Sequence, residues 1–275
     1  MSRRHRSSSP TQRSNRETPR AGHPPRRQHD LGQNDLVDRR AIAAVVEQVV
    51  STTGPIVELA AGAGRLTVPL AALGRPLTAI EIDPRRVVAL RARLPSRVRV
   101  IEGDLLRKPL PASPHVIVGN LPFHLSTATL RRLLAAEGWT SAALILQWEA
   151  ARRRAGIGGG SQLTAQSAPW FEFRLVSRIP STAFRPRPAV DAALLVIERR
   201  TQPLVPSRDR AAYQRWVASV FAVPGSACSA LARADRLSRR ASRARCARAG
   251  VDAEKPVSRI TAEGWAALWR DSRPR

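Results

Sequence analysis

The chain is short of cysteine, of lysine and of acidic side chains, and each shortage excludes something. Its two cysteines, Cys228 and Cys246, have none of the spacings of a zinc site or a disulfide scaffold, so a reduced, cytoplasmic protein without a metal centre is expected. No apolar run approaches the roughly 20 residues needed to cross a bilayer, and the N-terminus lacks the apolar stretch of a secretory signal. A membrane is therefore not an expected partner. Asp and Glu together number 21 against 46 Lys and Arg, giving a net charge of +25 and a pI near 11.9. So large an imbalance points to a polyanion, and on charge alone RNA, DNA or an anionic membrane surface would each fit. Lysine occurs only at Lys108 and Lys255, which leaves arginine, the planar donor suited to phosphate and to base stacking, as nearly the whole basic complement. GC-rich codon usage would give the same bias.

What is present is long enough for one full α/β core plus a smaller appendage. Residues 1–30 are rich in Arg, Ser and Pro. An organellar transit peptide shares that composition, but we read them as a disordered basic tail that adds affinity for RNA. Residues 38–50 have helical periodicity through Ala41, Ile42, Val45, Val46 and Val49. Short β-rich runs then alternate with helical stretches, at residues 56–59, 77–82, 98–101, 116–118, 142–146, 173–179 and 192–197. Alternation of this kind predicts βαβ units and a mostly parallel, seven-stranded sheet with helices on both faces. Only a loop with Pro180, Pro186 and Pro188 separates the last two runs, so they should pair antiparallel. Residues 31–200 form the expected main domain. After it, residues 201–275 read as a linker followed by a small helical domain, anchored by Tyr213, Trp216, Val217, Val220, Phe221, Trp265, Leu268 and Trp269. The dense arginines of residues 233–248 meet no acid in that stretch except Asp235, which suggests a phosphate-binding surface.

Chemistry concentrates at strand ends. Glu58-Leu59-Ala60-Ala61-Gly62-Ala63-Gly64 follows a strand and opens a helix, the arrangement that lets a ligand approach backbone closely. About 20 residues on, Glu81 ends the next strand, where a nucleoside ribose expects a carboxylate acceptor. The turn lacks the three glycines a pyrophosphate needs and places acidic Glu58 beside it. S-adenosylmethionine, with a cationic sulfonium and ammonium and no phosphate, fits this better than NAD does. Asp104 after the third strand would accept from the adenine amine, although a plain turn cap would look the same.

At the end of the fourth strand stands Asn120-Leu121-Pro122-Phe123. An adenine amine is a poor nucleophile because its lone pair is delocalised. The Asn120 side-chain oxygen and the Leu121 carbonyl would accept its two protons and favour a more tetrahedral nitrogen. Pro122 stiffens the turn, and Phe123 offers a face for a flipped base.

With these motifs the sequence resembles the ribosomal RNA adenine dimethylases, and within them the erythromycin-resistance (Erm) methyltransferases of actinobacterial type. The likeness runs from about Gln33 to Arg200. It rests on Gly32-Gln33-Asn34, the glycine turn, Glu81, Asp104, Asn120-Leu121-Pro122-Phe123 with His124-Leu125-Ser126-Thr127, Gln147-Trp148-Glu149-Ala150, and Phe184-Arg185-Pro186-Arg187-Pro188-Ala189-Val190-Asp191. The resemblance implies a class I, Rossmann-like methyltransferase fold and S-adenosyl-L-methionine as cofactor, with Asn34, Leu36, Gly62, Glu81, Asp104 and Asn120 in contact with it. Phe123 and Phe184 would sandwich the target adenine. It further implies one adenine of 23S rRNA as target, before ribosome assembly is complete, resistance to macrolides, lincosamides and streptogramin B, and a monomeric enzyme. The run Arg152-Arg153-Arg154 with the glycine loop Gly158-Gly159-Gly160 also looks like actinobacterial members. Two positions depart from the pattern: Asp35 stands where an aromatic residue is usual, and Ala60 where the first glycine of the turn is usual. A small-subunit (16S) rRNA dimethylase shares the core chemistry. A non-catalytic nucleic-acid-binding relative would share the fold but has no need of an intact Asn120, Phe123 and Phe184.

Overall fold

The computed structural model describes residues 34–272. The expected basic tail, and Gly32 and Gln33, lie outside the described residues. A short strand β1 (Asp35–Leu36) leads into α1 (Arg39–Val50), followed by β2 (Ile56–Leu59), α2 (Thr67–Ala71), β3 (Leu77–Glu81), α3 (Pro84–Arg93), β4 (Val98–Glu102) and β5 (His115–Asn120). Then come α4 (Ser126–Ala135), β6 (Trp139–Gln147), α5 (Trp148–Arg154), α6 (Gln162–Ser167), β7 (Phe171–Ile179), β8 (Phe184–Arg185) and β9 (Ala192–Arg199). Four helices follow: α7 (Arg210–Phe221), α8 (Ala227–Ala234), α9 (Arg239–Arg248) and α10 (Ala262–Asp271).

Local chemistry sets the helix starts. Asp38 accepts from the Ala41 N–H at 2.8 Å at the start of α1, and Asp83 caps α3 ahead of Pro84 at its first turn. Seven strands join in the order β4-β3-β2-β5-β6-β9-β7. β4 through β6 pair in parallel, and β9 inserts antiparallel between β6 and β7, as the loop-only connection required. The sheet runs β2, β3, β4 outward on one side and β5, β6 on the other. Its switch point therefore lies between β2 and β5, where an open α/β sheet leaves a crevice at the strands' carboxyl ends.

The central strands are hydrophobic throughout because both faces are covered. In β6, Ala142, Leu144 and Leu146 face one layer while Ala143 and Ile145 face the other; β9 alternates likewise, with Ala193, Leu195 and Ile197 opposed to Ala192, Leu194 and Val196. Val45 and Val49 of α1 cover the second face. Leu130, Leu133 and Leu134 of α4 cover the first, and so do Tyr213, Val217, Leu231, Trp265 and Leu268 from the C-terminal helices. The helical appendage thus shares one continuous core with the sheet. Its linker is packed too: Val205 is buried and the Leu204 N–H donates to the Pro169 carbonyl at 2.9 Å.

Many arginines serve the fold. Arg75 donates to the carbonyls of Val49, Thr52 and Gly54 behind α1, Arg199 donates to those of Ala136 and Trp139, and buried Arg245 bonds Asp235 and the Leu268 carbonyl. The arginines of residues 233–248 also find more acids than their own stretch supplies, since Arg243 pairs with Glu254 and Arg248 with Asp271. Arg233, Arg236, Arg239 and Arg240 remain exposed on this lobe. The glycine loop is docked rather than slack: the Gly160 N–H donates to the Ser258 carbonyl at 2.7 Å.

Candidate functional site

The turn after β2 carries three left-handed residues, Ala60 (φ 56°), Gly62 (φ 56°) and Gly64 (φ 79°). A Cβ on Gly64 would stand 2.6 Å from both Arg93 Nη2 and Leu90 Cδ2, and one on Gly62 would stand 2.9 Å from Arg86 Nη1 and 3.0 Å from Asp35 Oδ1. The left-handed backbone angle favours glycine at both positions, while the close atoms are ends of side chains that would have to move aside for a Cβ. Ala60 adopts the same conformation with its Cβ in place, so its departure from the usual glycine is one of backbone strain and not only of room.

The Gly62 N–H donates to Glu81 Oε2 at 2.6 Å, while Glu81 Oε1 accepts from Ile82 N and Asp83 N at 3.0 and 2.9 Å. Three main-chain donors thus hold the carboxylate at the end of β3 beside the turn. Asp104 does what an ordinary turn cap does, accepting from Leu106 N at 2.8 Å, and it also faces the cavity. Asn120 ends β5. Its Nδ2 donates to the Asn34 carbonyl at 2.8 Å. A carbonyl can only accept, so this bond fixes which way the amide points and leaves Oδ1 as the end available to a substrate amine.

These residues converge. A cavity of about 230 Å³ at the switch point is lined by Asn34, Gly62, Glu81, Asp104, Asn120, Leu121 and Phe123, with Asp35, Ala60, Arg86 and His124 among its other walls. Leu36 and Phe184 are placed otherwise. The Leu36 side chain is buried in the core and borders only a small adjoining recess shared with Glu58 and Gly62. Phe184 is fully buried and meets Phe123 edge to face, centroids 6.5 Å apart and planes at 72°. The two rings are neighbours, as expected, but they do not form an open parallel clamp.

Glu58 is the electrostatic anomaly. It is 1% exposed, one carboxylate oxygen is buried without a hydrogen-bond partner, and it borders the recess under the turn. Burial pushes its pKa up to about 8; the neighbouring Thr67 hydroxyl pulls the other way and the Glu81 charge adds to the rise. A carboxyl in this state is neutral near pH 7, and a cation brought beside it would lower its pKa and draw out the ionised form. The recess therefore fits the ammonium end of an amino acid, while Glu81 and Asp104 fit the ribose and base of a nucleoside. Among the described residues no group of three or more His, Cys, Asp or Glu is placed to hold a metal ion.

The main feature missed in the sequence is Arg86. Its Nη1 and Nη2 bond both Asp35 oxygens, at 2.8 and 3.2 Å, and the pair roofs the cavity over Gly62. A charge at Asp35, where an aromatic is usual, was the available signal that a partner was needed. The Asp35↔Arg185 and Leu36↔Phe184 pairing of β1 with β8 ties the same roof to the segment that carries Phe184.

The family model for ribosomal RNA adenine dimethylase matches residues 26–269. An rRNA adenine N-6-methyltransferase of Corynebacterium diphtheriae is 48% identical over 72% of this chain and 78% of its own length. The mycinamicin-resistance protein MyrB of Micromonospora griseorubida is 45% identical over 88% of this chain and 78% of its own. Among solved structures, the 23S rRNA methyltransferase ErmE superposes with a TM-score of 0.78 at 32% identity, covering 86% of this chain and 98% of that one. Glycine turn, two strand-end acids and Asn-Leu-Pro-Phe loop thus meet at one cavity in a chain that belongs to the ribosomal RNA adenine dimethylase family, on its erythromycin-resistance branch.

Proposed function

We propose that this protein transfers a methyl group from S-adenosyl-L-methionine to the exocyclic amine of one adenine in 23S rRNA, before ribosome assembly is complete, and so confers resistance to macrolide, lincosamide and streptogramin B antibiotics. The observation that carries the reading is the Asn120–Asn34 hydrogen bond, which engages Nδ2 and leaves Oδ1 to accept at a residue that lines the same cavity as Glu81, Asp104 and Phe123. Glu81 and Asp104 would hold the nucleoside part of the cofactor, the main chain of Asn34, Leu36 and Gly62 its amino-acid part, and Glu58 would balance the ammonium charge. When bound, the cofactor supplies a methyl carbon on a cationic sulfur that departs as a neutral thioether.

The protein's part is positioning. Asn120 Oδ1 and the Leu121 carbonyl accept the two amine hydrogens of the target and draw the nitrogen lone pair out of conjugation. Phe123 stacks on the base, and Phe184 turns from its edge-on position to close the other face. The product sheds its proton to solvent, so no histidine or carboxylate base is called for. The exposed arginines of the C-terminal lobe hold the RNA backbone.

The test is labelled methyl transfer by the full chain to 23S and 16S rRNA transcripts. Label in 23S is expected; label in 16S alone overturns the reading in favour of a small-subunit enzyme. Asn120→Ala is expected to abolish transfer while cofactor binding, followed by calorimetry, persists. Full activity in that variant refutes the amine contact.

A further inference from the structure

A second cavity, of about 410 Å³, opens on the same edge of the sheet as Asn120 and takes no part in the chemistry above. Its walls are Gln147, Trp148, Glu149, Arg178 and the segment Ala189–Asp191. The register explains its place. Asn120 pairs with Ile145 near the end of β6, Gln147 ends that strand opposite Ala192, and Ile179 ends β7 opposite the same residue. The cavity therefore sits at the carboxyl ends of β6 and β7, beside the loop that runs on from Phe184.

Its construction is specific. The Arg178 guanidinium lies over the Trp148 ring with Cζ 4.9 Å from the centroid. Asp191 holds it there, accepting from Arg178 Nε at 2.9 Å and Nη2 at 2.8 Å, and is itself fixed by the Ser181 N–H at 2.9 Å. The Trp148 main-chain N–H in turn donates to the Asp191 main-chain carbonyl at 2.9 Å. Ring, guanidinium and carboxylate thus form one connected unit, and Val190, another of the lining residues, is 46% exposed. An indole with a guanidinium layered on it is a platform for a further flat group.

The charges decide which flat group. Arg178 is paired with Asp191 and the Glu149 carboxylate with Arg152 Nε at 2.8 Å, so these four charges are matched among themselves and offer a phosphate no unpaired cation. A nucleobase suits the cavity instead: its faces stack on the guanidinium, and its exocyclic amine finds carboxylate and amide acceptors. A base is also what must be close by, because an RNA strand whose adenine enters the main cavity brings its neighbours to the same edge.

We propose that the Trp148–Arg178 cavity captures a nucleobase next to the target adenine, preferring one that bears an exocyclic amine, and so selects the sequence context of methylation. The proposal rests on the RNA-adenine reading above. That reading is tested by wild-type labelling of intact RNA, and the cavity by what its variants change.

The experiment uses a 23S rRNA hairpin containing the target, with abasic residues placed singly at the two nucleotides on each side. One abasic position is expected to raise the wild-type KM for RNA on the order of ten-fold with a smaller effect on kcat. Trp148→Ala should raise KM on intact RNA by a similar factor and lose all sensitivity to that one position. Trp148→Phe should recover part of the loss. Uridine at the same position, lacking the amine, should fall between intact and abasic RNA. Arg178→Gln keeps the indole in place and should give a partial KM effect at an unchanged melting midpoint, so a folding defect in Trp148→Ala does not decide the matter. If the protein and RNA changes are additive at every position, or if all variants match wild type, the proposal is overturned. An inactive wild-type enzyme on intact RNA overturns the methylation reading instead.

Discussion

Replacing Ala60 by glycine should stabilise the protein, although glycine is usually the destabilising choice. Ala60 sits at φ 56°, where an L side chain crowds its own carbonyl at about 1–2 kcal/mol. Glycine removes that strain. Its extra freedom in the unfolded chain takes back about 0.4–1 kcal/mol. The partly buried methyl, packed beside the core, represents about another 0.4 kcal/mol at half burial. The balance favours Ala60→Gly by about 0.5 kcal/mol, and at about 2–4 °C per kcal/mol for a protein of this size the midpoint should rise by roughly 1–2 °C. The neighbouring Ala61, 6% exposed and absent from the left-handed residues, supplies the control. Ala61→Gly loses packing and gains no relief, so it should lower the midpoint by several degrees. Thermal unfolding with duplicate urea titrations reads both variants. An Ala60→Gly midpoint that falls in step with Ala61→Gly would refute the strain argument, and with it the idea that this turn is held against its preference.

Three further outcomes follow, two from the site and one from the C-terminal lobe. The folded-state pKa of Glu58, about 8 against a reference of 4.5, means that the folded chain keeps a proton the unfolded chain releases between those values. Its contribution is fully present below pH 4.5 and is lost as pH rises through 8, so the urea midpoint should decline across that window and decline less in Glu58→Gln; parallel curves would refute the assignment. Asp35→Asn leaves the guanidinium of Arg86, 12% exposed, without its anion at the mouth of a cavity proposed for a cationic cofactor. S-adenosylmethionine affinity should fall about 5- to 30-fold by calorimetry, from a loss of about 1–2 kcal/mol. Adding Arg86→Leu to that variant should restore part of it, and equal affinities in all three proteins would remove the pair from the site. Arg245, 3% exposed and bonded to Asp235 and the Leu268 carbonyl, braces the C-terminal lobe. Arg245→Ala should cost about 3–5 kcal/mol in denaturant titration, whereas exposed Arg240→Ala should leave the midpoint in place and weaken RNA binding in a salt-dependent manner. Similar stability losses for both would mean that the lobe's arginines do not divide into bracing and binding groups.

The sequence by itself determined the alternation of strands and helices, the antiparallel final pair, and the place of Gly62, Glu81, Asp104 and Asn120 along one edge of the sheet, where they line one cavity. These are local matters: strand residues alternate, several helices start at capping side chains, and Glu81 and Asn120 end strands with Asp104 two residues beyond one, so distance along the chain foretells a place at the sheet's edge. Tertiary structure alone decided three things. The Asp35–Arg86 pair joins residues 51 apart in sequence, and no periodicity links them. The direction of the Asn120 amide depends on a carbonyl 86 residues away. Phe184, expected with Phe123 to sandwich the target adenine, is fully buried on β8 and meets the Phe123 ring edge to face, an arrangement that gains from aromatic burial and ring contact and that no sequence spacing foretells. The arginine surplus divides in the same way: its size is a fact of composition, but which guanidinium bonds a carbonyl, as Arg75, Arg199 and Arg245 do, and which faces solvent depends on tertiary packing.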